Sequence, residues 1–368
     1  TALSNRNLII NGAMQVAQRA SGATAIGTGY YTLDRFKTHK NNDGAFTTEQ
    51  STDHPNGAGN SIKWAVTTAD SSVAAGQYLY MSQHIEAQNL QHLLYGTSSA
   101  KSITLSFWVK SNKTGTYSIV IRKLDSTQYN FVHEYAINSA DTWEKKEITI
   151  SPTAGSTSFI TASGGAIAND NGSGLQIGWN LAWGSTYNGA TNNAWSSNTN
   201  HYATSNQVNW MDSTSNNFYL TEVQLEVGEQ ATPFEHRSFD DELIKCKRYF
   251  ERFKRSYSEM GQGSDADATL WAGCSRSGNS GNNQGVLRYT RKRNNPTVSV
   301  SGASYINSIF PISPFNSSLS GFGISGNAGI DSAFVNATNN ASSAPGSDCA
   351  SFVYIPNNSG YLDVDAEL

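Results

Sequence analysis

The chain has 368 residues and a formal net charge of −4, with a pI near 6.0, so it offers no broad positive field to gather nucleic acid, which argues against a DNA-packaging role. Only 15% of its residues are charged, against roughly 25% in ordinary soluble domains, and its polarity comes instead from Ser, Thr, Asn and Gly, which suit strands and turns better than long solvated helices. At about 100–200 residues per domain the length suffices for two separate cores.

From the N-terminus, Leu8-Ile9-Ile10 followed by Met14 and Val16 predicts a first strand or two, and the small residues from Ser21 to Gly29 a mobile loop. Strands are predicted at Tyr31–Phe36, Ile62–Val66, Ile103–Val109, Ser118–Arg122 and Lys146–Ile150, each bounded by Gly, Asn, Ser or Asp. A short helix is predicted over Gln83–Leu94, ahead of Gly96. Pieces of this length and spacing are what a sandwich or jelly roll requires, because each strand must pair with neighbours and bury one face.

The interval from Gly164 to Asn217 is nearly devoid of aliphatic residues, yet holds Trp179, Trp183, Tyr187, Trp195, Tyr202 and Trp210 among Asn, Gly, Ser and Thr. Aromatic rings lined by amides and hydroxyls are what sugar recognition needs: the C–H face of a pyranose stacks on a ring while polar groups bond its hydroxyls. These six residues are therefore the candidate glycan-binding set. The competing reading is that the rings fill a loop core where aliphatic side chains are missing.

Phe218–Gly228 alternates Val223, Leu225 and Val227 with Glu222, Gln224 and Glu226, the pattern of a half-buried strand. Ser238 offers an N-cap, Asp240, Asp241 and Glu242 load the first turn with negative charge, and a helix is predicted from Ser238 to Arg255. On that helix Leu243, Cys246, Phe250 and Phe253 would form one apolar stripe. Leu243, Phe250 and Phe253 are accordingly candidates for contact between subunits. Beyond it, strands are predicted at Thr269–Ala272, Gly285–Tyr289, Thr297–Val300 and Ser351–Ile355, around a Gly/Ser/Asn-rich middle from Ser317 to Gly346. The run from Arg288 to Arg293 reads as a strand end with solvated charges that could face an acidic partner surface, rather than as a phosphate site. No fixed-period repeat is present, which argues against solenoids and propellers.

Four segments together carry a resemblance. Asn7–Val16, Tyr31–Phe36, the run from Gln224 to Glu235 containing Gln224-Leu225-Glu226-Val227-Gly228 and Thr232-Pro233-Phe234-Glu235, and the terminal Asp365–Leu368 resemble those of tailed-bacteriophage virion proteins, of the tail-fibre or appendage type with a carbohydrate-binding-module-like β-sandwich. The resemblance implies a non-enzymatic structural or adhesive protein of the virion, assembled in the host cytoplasm beside other virion proteins and usually oligomeric.

Enzyme signatures are absent: no nucleophile elbow, P-loop or His-Glu-x-x-His occurs, and the carboxylates Asp34, Glu49, Glu86, Glu134, Glu222 and Glu226 show no pairing from spacing alone. The seven histidines are scattered, and three cysteines (Cys246, Cys274, Cys349) lack zinc-site spacing, so neither metal nor cofactor is expected and the thiols should be free. No apolar run reaches the roughly 18–20 residues of a membrane span, and no leader pattern opens the chain.

The expected architecture is all-β: an N-terminal jelly-roll sandwich over residues 1–236, a connecting helix over 237–256, and a smaller C-terminal β domain over 257–368 that serves oligomerisation or attachment. The expected function is an adhesive tail-fibre, spike or appendage subunit that binds host-surface glycan, as a homo-oligomer with a trimer favoured. A decoration or adaptor subunit that binds no sugar, and a glycan-degrading enzyme, are the alternatives.

Overall fold

The computed structural model describes residues 6–25, 27–57, 59–254, 269–275, 282–300, 307–310, 315–324, 328–339, 350–354 and 361–368. The chain divides into two compact units, Thr1–Leu243 with Leu368, and Ile244–Glu367.

The first unit carries twelve strands: β1 (Thr24–Ala25), β2 (Lys37–Asn41), β3 (Ala45–Ser51), β4 (Ser61–Thr68), β5 (Tyr78–Glu86), β6 (Ile103–Ser111), β7 (Gly115–Lys123), β8 (Tyr129–Ile137), β9 (Glu144–Ile150), β10 (Ser173–Trp183), β11 (Ala194–Ser196) and β12 (Asn217–Val227). They form two six-stranded sheets, ordered β1-β3-β4-β12-β6-β9 and β11-β8-β7-β10-β5-β2. All the pairings are antiparallel. The core draws on alternate residues of both sheets, including Trp64, Leu105, Phe107, Phe218 and Leu225 from the first and Met81, Ile119, Ile121, Phe131 and Ile177 from the second. This is an all-β sandwich, as the alternation predicts.

Strands predicted at Ile62–Val66, Ile103–Val109, Ser118–Arg122 and Lys146–Ile150 lie within β4, β6, β7 and β9. Tyr31–Phe36 does not form a strand. Arg35 adopts a left-handed backbone (φ 74°) and Phe36 N bonds back to Leu33 O, so the segment turns and pairing begins only at Lys37. The helix expected over Gln83–Leu94 starts later: Gln83 to Glu86 complete β5, and a 3-10 helix runs from Ala87 to Leu93. Leu8–Val16 likewise forms no strand, although Leu8 N bonds to Leu225 O.

That N-terminal segment helps explain a second departure from expectation. Glu222, Gln224 and Glu226, predicted to face solvent, are 8%, 0% and 3% exposed. Glu222 is met by His54 and Asn56, while Gln224 and Glu226 are covered by residues 6–12 and 232–237 and bonded to Arg6, Thr232 and Glu235. Asn7 Oδ1 accepts from Ile9 N and Leu225 N at 2.9 and 3.1 Å while its Nδ2 donates to Val223 O at 3.0 Å. Arg237 donates to Asn7 O and Ile9 O and pairs with Glu235 and Glu242 at 3.0 and 2.9 Å. Glu242 in turn accepts from Asn11 N, whose side chain bonds Val16 and Asp34. A Cβ at Gly12 would lie 2.2 Å from Val223 O, so only glycine permits this approach. Three of the segments that carry the family resemblance, otherwise distant in sequence, thus interlock in one buried polar latch.

Ser238 caps the helix α1 (Phe239–Lys247) as expected, its Oγ accepting from Asp241 N at 3.2 Å. The helix is shorter than predicted. Tyr249 N closes a tight turn on Cys246 O, and Phe250–Lys254 forms the strand β13. The apolar stripe therefore does not exist on one helix face: Phe250 is 1% exposed and Phe253 packs in the second unit's own core, while Leu243 is half-buried on the helix. As a strand the segment puts Phe250 and Arg252 on one face and Glu251 and Phe253 on the other, which lets Glu251 meet buried Lys292 and Arg252 form a two-point pair with Asp363.

In the second unit β13 joins β16 (Thr297–Val300) and β21 (Tyr361–Asp365) in a three-stranded sheet ordered β13-β21-β16. Six further strands, β14 (Thr269–Ser275), β15 (Asn282–Arg288), β17 (Asn307–Phe310), β18 (Phe315–Ile324), β19 (Ser332–Asn339) and β20 (Ala350–Tyr354), close a barrel in the order β14-β15-β19-β18-β17-β20. The strands predicted in this region fall on β14, β15, β16 and β20, though Tyr289 lies just past β15 and Ile355 outside the described residues; β18 and β19 occupy most of the Gly/Ser/Asn-rich middle left without an assignment. The basic run is not a set of solvated charges throughout. Lys292 is 1% exposed, bonded to Lys247 O and Glu251.

Candidate functional site

Three of the four segment tryptophans are core residues. Trp179 (0% exposed) packs against Phe36 and Phe107; Trp195 (2%) against Phe131, with its Nε1 donating to Ser151 O; and Trp210 (0%) against Phe46 and Trp64, with its Nε1 donating to Asn217 O. For these three rings the glycan-binding expectation is corrected: they fill a core, as the competing reading had it. The segment contributes β10 and β11 to the sheet itself, and the rings replace missing aliphatics in the sandwich core.

Trp183 is different. Along β10, Leu175, Ile177 and Trp179 point into the core while Gln176 and Asn180 point outward, so plain alternation would send residue 183 inward. A bulge between Asn180 and Ala182 inverts the phase, and Trp183 pairs with Tyr78 on the outer face of the second sheet. There it joins Tyr80, Ala203, Tyr78, Tyr187 and Tyr202 in a cluster separate from the main core. The indole stacks on Tyr202 at 4.6 Å and on Tyr80 at 5.1 Å, and meets Tyr187 edge-on at 5.5 Å. Trp183 is 8% exposed, whereas Tyr78, Tyr187 and Tyr202 are half-buried and give the cluster its open side.

The chain beyond β10 folds back over the sheet to deliver the two loop tyrosines. Gly184 N bonds to Gln77 O, and a Cβ at Gly184 would lie 2.0 Å from Ala74 O, so glycine is required at that crossing. Tyr202 N and Ala203 N both donate to Tyr187 O, fixing Tyr187 beside Tyr202. Asn180 Nδ2 anchors the return by donating to Tyr202 O and Ser118 Oγ.

Next to the aromatic cluster lies a polar one. His39 stacks on Tyr80 at 4.2 Å and shares a hydrogen bond with Ser82 Oγ at 2.9 Å. Gln176 Nε2 donates to Ser82 Oγ and contacts His84 Nε2 at 3.0 Å, while Gln176 Oε1 accepts from Arg122 at 2.6 Å. The Arg122 guanidinium sits over the Tyr202 ring, 4.8 Å from its centroid. Burial, assisted by the Lys37 and Arg122 charges, lowers the His39 pKa to about 3, and burial likewise holds His84 well below its ordinary value. Both rings are neutral at pH 7. Burial also raises the Tyr80 and Tyr202 hydroxyls. Trp183 Nε1, Asn180 Oδ1, Thr204 Oγ1 and Arg122 Nε are buried without a hydrogen-bond partner.

Of the six residues predicted to bind glycan, the structure thus brings Trp183, Tyr187 and Tyr202 together and removes Trp179, Trp195 and Trp210 from any surface. Sequence reasoning missed Tyr78, Tyr80, His39, His84, Gln176 and Arg122. A signal existed in the alternation of Tyr78, Tyr80, Ser82 and His84 on β5, but a helix assigned from Gln83 onward broke it. Among the described residues no group of three or more His, Cys, Asp or Glu is placed to hold a metal ion, and no helix is long and apolar enough to cross a membrane.

No protein-family model matches this chain, and no curated protein matches it. Among solved structures it is similar to a putative sugar-binding protein from Bacteroides thetaiotaomicron, at 12% identity over 60% of this chain and 100% of that one, with a TM-score of 0.35. The family 11 carbohydrate-binding module of a Clostridium thermocellum cellulosomal cellulase matches at 13% identity over 58% of this chain and 98% of that one, TM-score 0.29. The enzymatically active domain of tailspike protein 4 from bacteriophage CBA120 matches at 14% identity over 61% of this chain, TM-score 0.29, and the chain spans 22% of that protein's length. Scores this low establish neither a shared fold nor a shared function.

Proposed function

We propose that this chain is a non-catalytic glycan-binding subunit of a tailed-bacteriophage virion, with its sugar site on the outer face of the β11-β8-β7-β10-β5-β2 sheet. The observation that carries the reading is the half-open aromatic cluster of Tyr78, Tyr187 and Tyr202 around Trp183, with their phenol hydroxyls and the half-buried Arg122 guanidinium at its edge, the latter held from below by buried Gln176. Flat rings for a pyranose face beside donors and acceptors for its hydroxyls are the two components of sugar recognition. The virion assignment is supported by the family resemblance of residues 7–16, 31–36 and 224–235, which meet in the latch described above. A glycan array probed with the whole chain, followed by calorimetry on any positive glycan, tests the binding; a reducing-sugar release assay on the same glycan tests the absence of catalysis.

The burial of Trp179, Trp195 and Trp210 favours one alternative, a decoration or adaptor subunit whose sandwich contacts neighbouring virion proteins and no sugar. An array negative for every glycan would select it. We further propose a homo-oligomer, with a trimer favoured. With Phe250 and Phe253 inside the second unit, exposed Phe239 and Ile244 on α1 and the cross-strand pair Val286 and Phe334 on β15 and β19 are its candidate apolar contacts. Sedimentation equilibrium tests this, a monomer at tens of micromolar excluding it.

A further inference from the structure

The polar half of the outer face is built for negative charge. Arg122 is half-buried, its Nη1 is held by Gln176 Oε1, its Nε is buried without a partner, and among the described residues no carboxylate pairs with it. Arg237 has Glu235 and Glu242, Arg252 has Asp363, and Lys292 has Glu251, while Lys123, buried without a carboxylate, has three backbone carbonyls to take its protons; among the described residues Arg122 has neither. The charges that act on His39 and His84 from the surrounding elements are Lys37, Arg35 and Arg122, all positive, with no carboxylate among them. A guanidinium withdrawn from water without a counter-ion is costly, and its fork of donors matches a carboxylate in two-point geometry. The half-buried Tyr187, which meets Trp183 and Tyr202 edge-on, supplies the stacking surface for the ring that bears the acid, since the Tyr202 ring already carries the guanidinium and the Trp183 indole.

We propose that the site takes an acidic glycan, one whose contacting sugar carries a carboxylate that seats on Arg122 while its ring lies against the Tyr187 and Tyr202 side of the aromatic cluster. This rests on the glycan-binding reading of the same face and adds the class of sugar. Gln176 serves as the positioning residue, since its side-chain oxygen fixes the guanidinium and its amide is in turn fixed by Ser82 and His84.

The test is an array carrying hexuronate-containing and sialylated glycans, each printed beside its own carboxyl-reduced form, with calorimetry on the best binder for the unmodified chain and for Arg122→Gln. The expected result is binding to a carboxylated glycan, a loss of roughly tenfold or more on carboxyl reduction, and a similar loss in Arg122→Gln at an unchanged melting temperature. Equal binding of a glycan and its carboxyl-reduced form by the unmodified chain would overturn the acidic class while leaving glycan binding intact. No binding to any glycan, acidic or neutral, would overturn both. The carboxyl-reduced comparison needs no variant, so it decides the matter even if Arg122→Gln folds poorly.

Discussion

Trp179 and Trp183 lie four residues apart on one strand and face opposite sides of the sheet. The bulge at Asn180/Ala182 is the cause, turning one indole into the core and its neighbour into the outer aromatic cluster. Their roles separate accordingly, although both are buried.

Trp179→Ala should cost about 3–5 kcal/mol of folding stability, the range for removing a large aromatic from a packed core. Trp183→Ala should cost less, since one side of its cluster is open and half-buried tyrosines can relax into the space. Urea denaturation of both variants checks the order. A larger loss at Trp183 would mean that the outer cluster, and not the sandwich core, holds the unit together.

For Tyr202→Ala we expect roughly 1–3 kcal/mol of lost glycan affinity, on the scale of aromatic stacking against nucleic-acid bases as an analogue. Its Cβ lies in a loop whose backbone bonds to Tyr187 O and Asn180 Nδ2 survive the substitution, so thermal stability should change little. Calorimetry and differential scanning on one preparation separate the two effects.

The latch makes Asn7 far more consequential than a residue close to the start of the chain would suggest. Asn7→Ala leaves Leu225 N without one of its acceptors, removes the acceptor of Ile9 N and takes the Nδ2 donor from Val223 O, all of them buried. At about 1–3 kcal/mol for each unsatisfied group, partly relieved by water entry, a loss of several kcal/mol is expected by chemical denaturation. A change within experimental error would show that residues 6–12 contribute nothing to the first unit.

Lys292→Met should destabilise the second unit strongly, because it leaves the Glu251 carboxylate buried, and the loss should fall at the lower end of about 3–5 kcal/mol because Lys247 stays 3.3 Å from Glu251. Adding Glu251→Gln to that variant should recover part of it. Proteolysis within residues 244–367 under native conditions reports the opening of this unit.

Stability should fall with acid well before ordinary carboxylates titrate. His39, with a folded pKa of about 3, and His84, also lowered, bind protons in the unfolded chain near pH 6.5 but not in the folded one. Their contribution is whole above pH 6.5 and is lost progressively as the pH falls toward 3, at up to about 1.4 kcal/mol per pH unit for each histidine. Melting temperatures from pH 7 to pH 4 should therefore decline, and His39→Gln should flatten the curve. A flat profile for the unmodified chain would mean that these rings protonate in place.

Much of the sandwich was legible because β4, β6, β7 and β9 each alternate cleanly between bounding turn residues. What escaped depends on distant partners. Glu222, Gln224 and Glu226 read as solvent-facing because nothing local shows that His54 and Asn56 will meet the first, or that residues 6–12 and 232–237 will cover the other two. Phe250 and Phe253 read as helical because a spacing of three fits the helix period, and only pairing with β21 decides for a strand, on whose opposite faces they then lie. At the site, three of the six aromatics were found by composition alone. The bulge that sorts Trp183 from Trp179 has no sequence signature, and the polar half draws on β2, β5, β7 and β10, which come together only when the sheet forms.

The most direct measurement is fluorine NMR of the chain labelled with 3-fluorotyrosine, its resonances assigned by single Tyr→Phe variants and titrated with an array-positive glycan. Shifts confined to Tyr78, Tyr80, Tyr187 and Tyr202, with Tyr219 on the opposite sheet unmoved, would agree with a sugar site on the outer face of the second sheet. Saturable glycan binding that leaves Tyr187 and Tyr202 unshifted would contradict it.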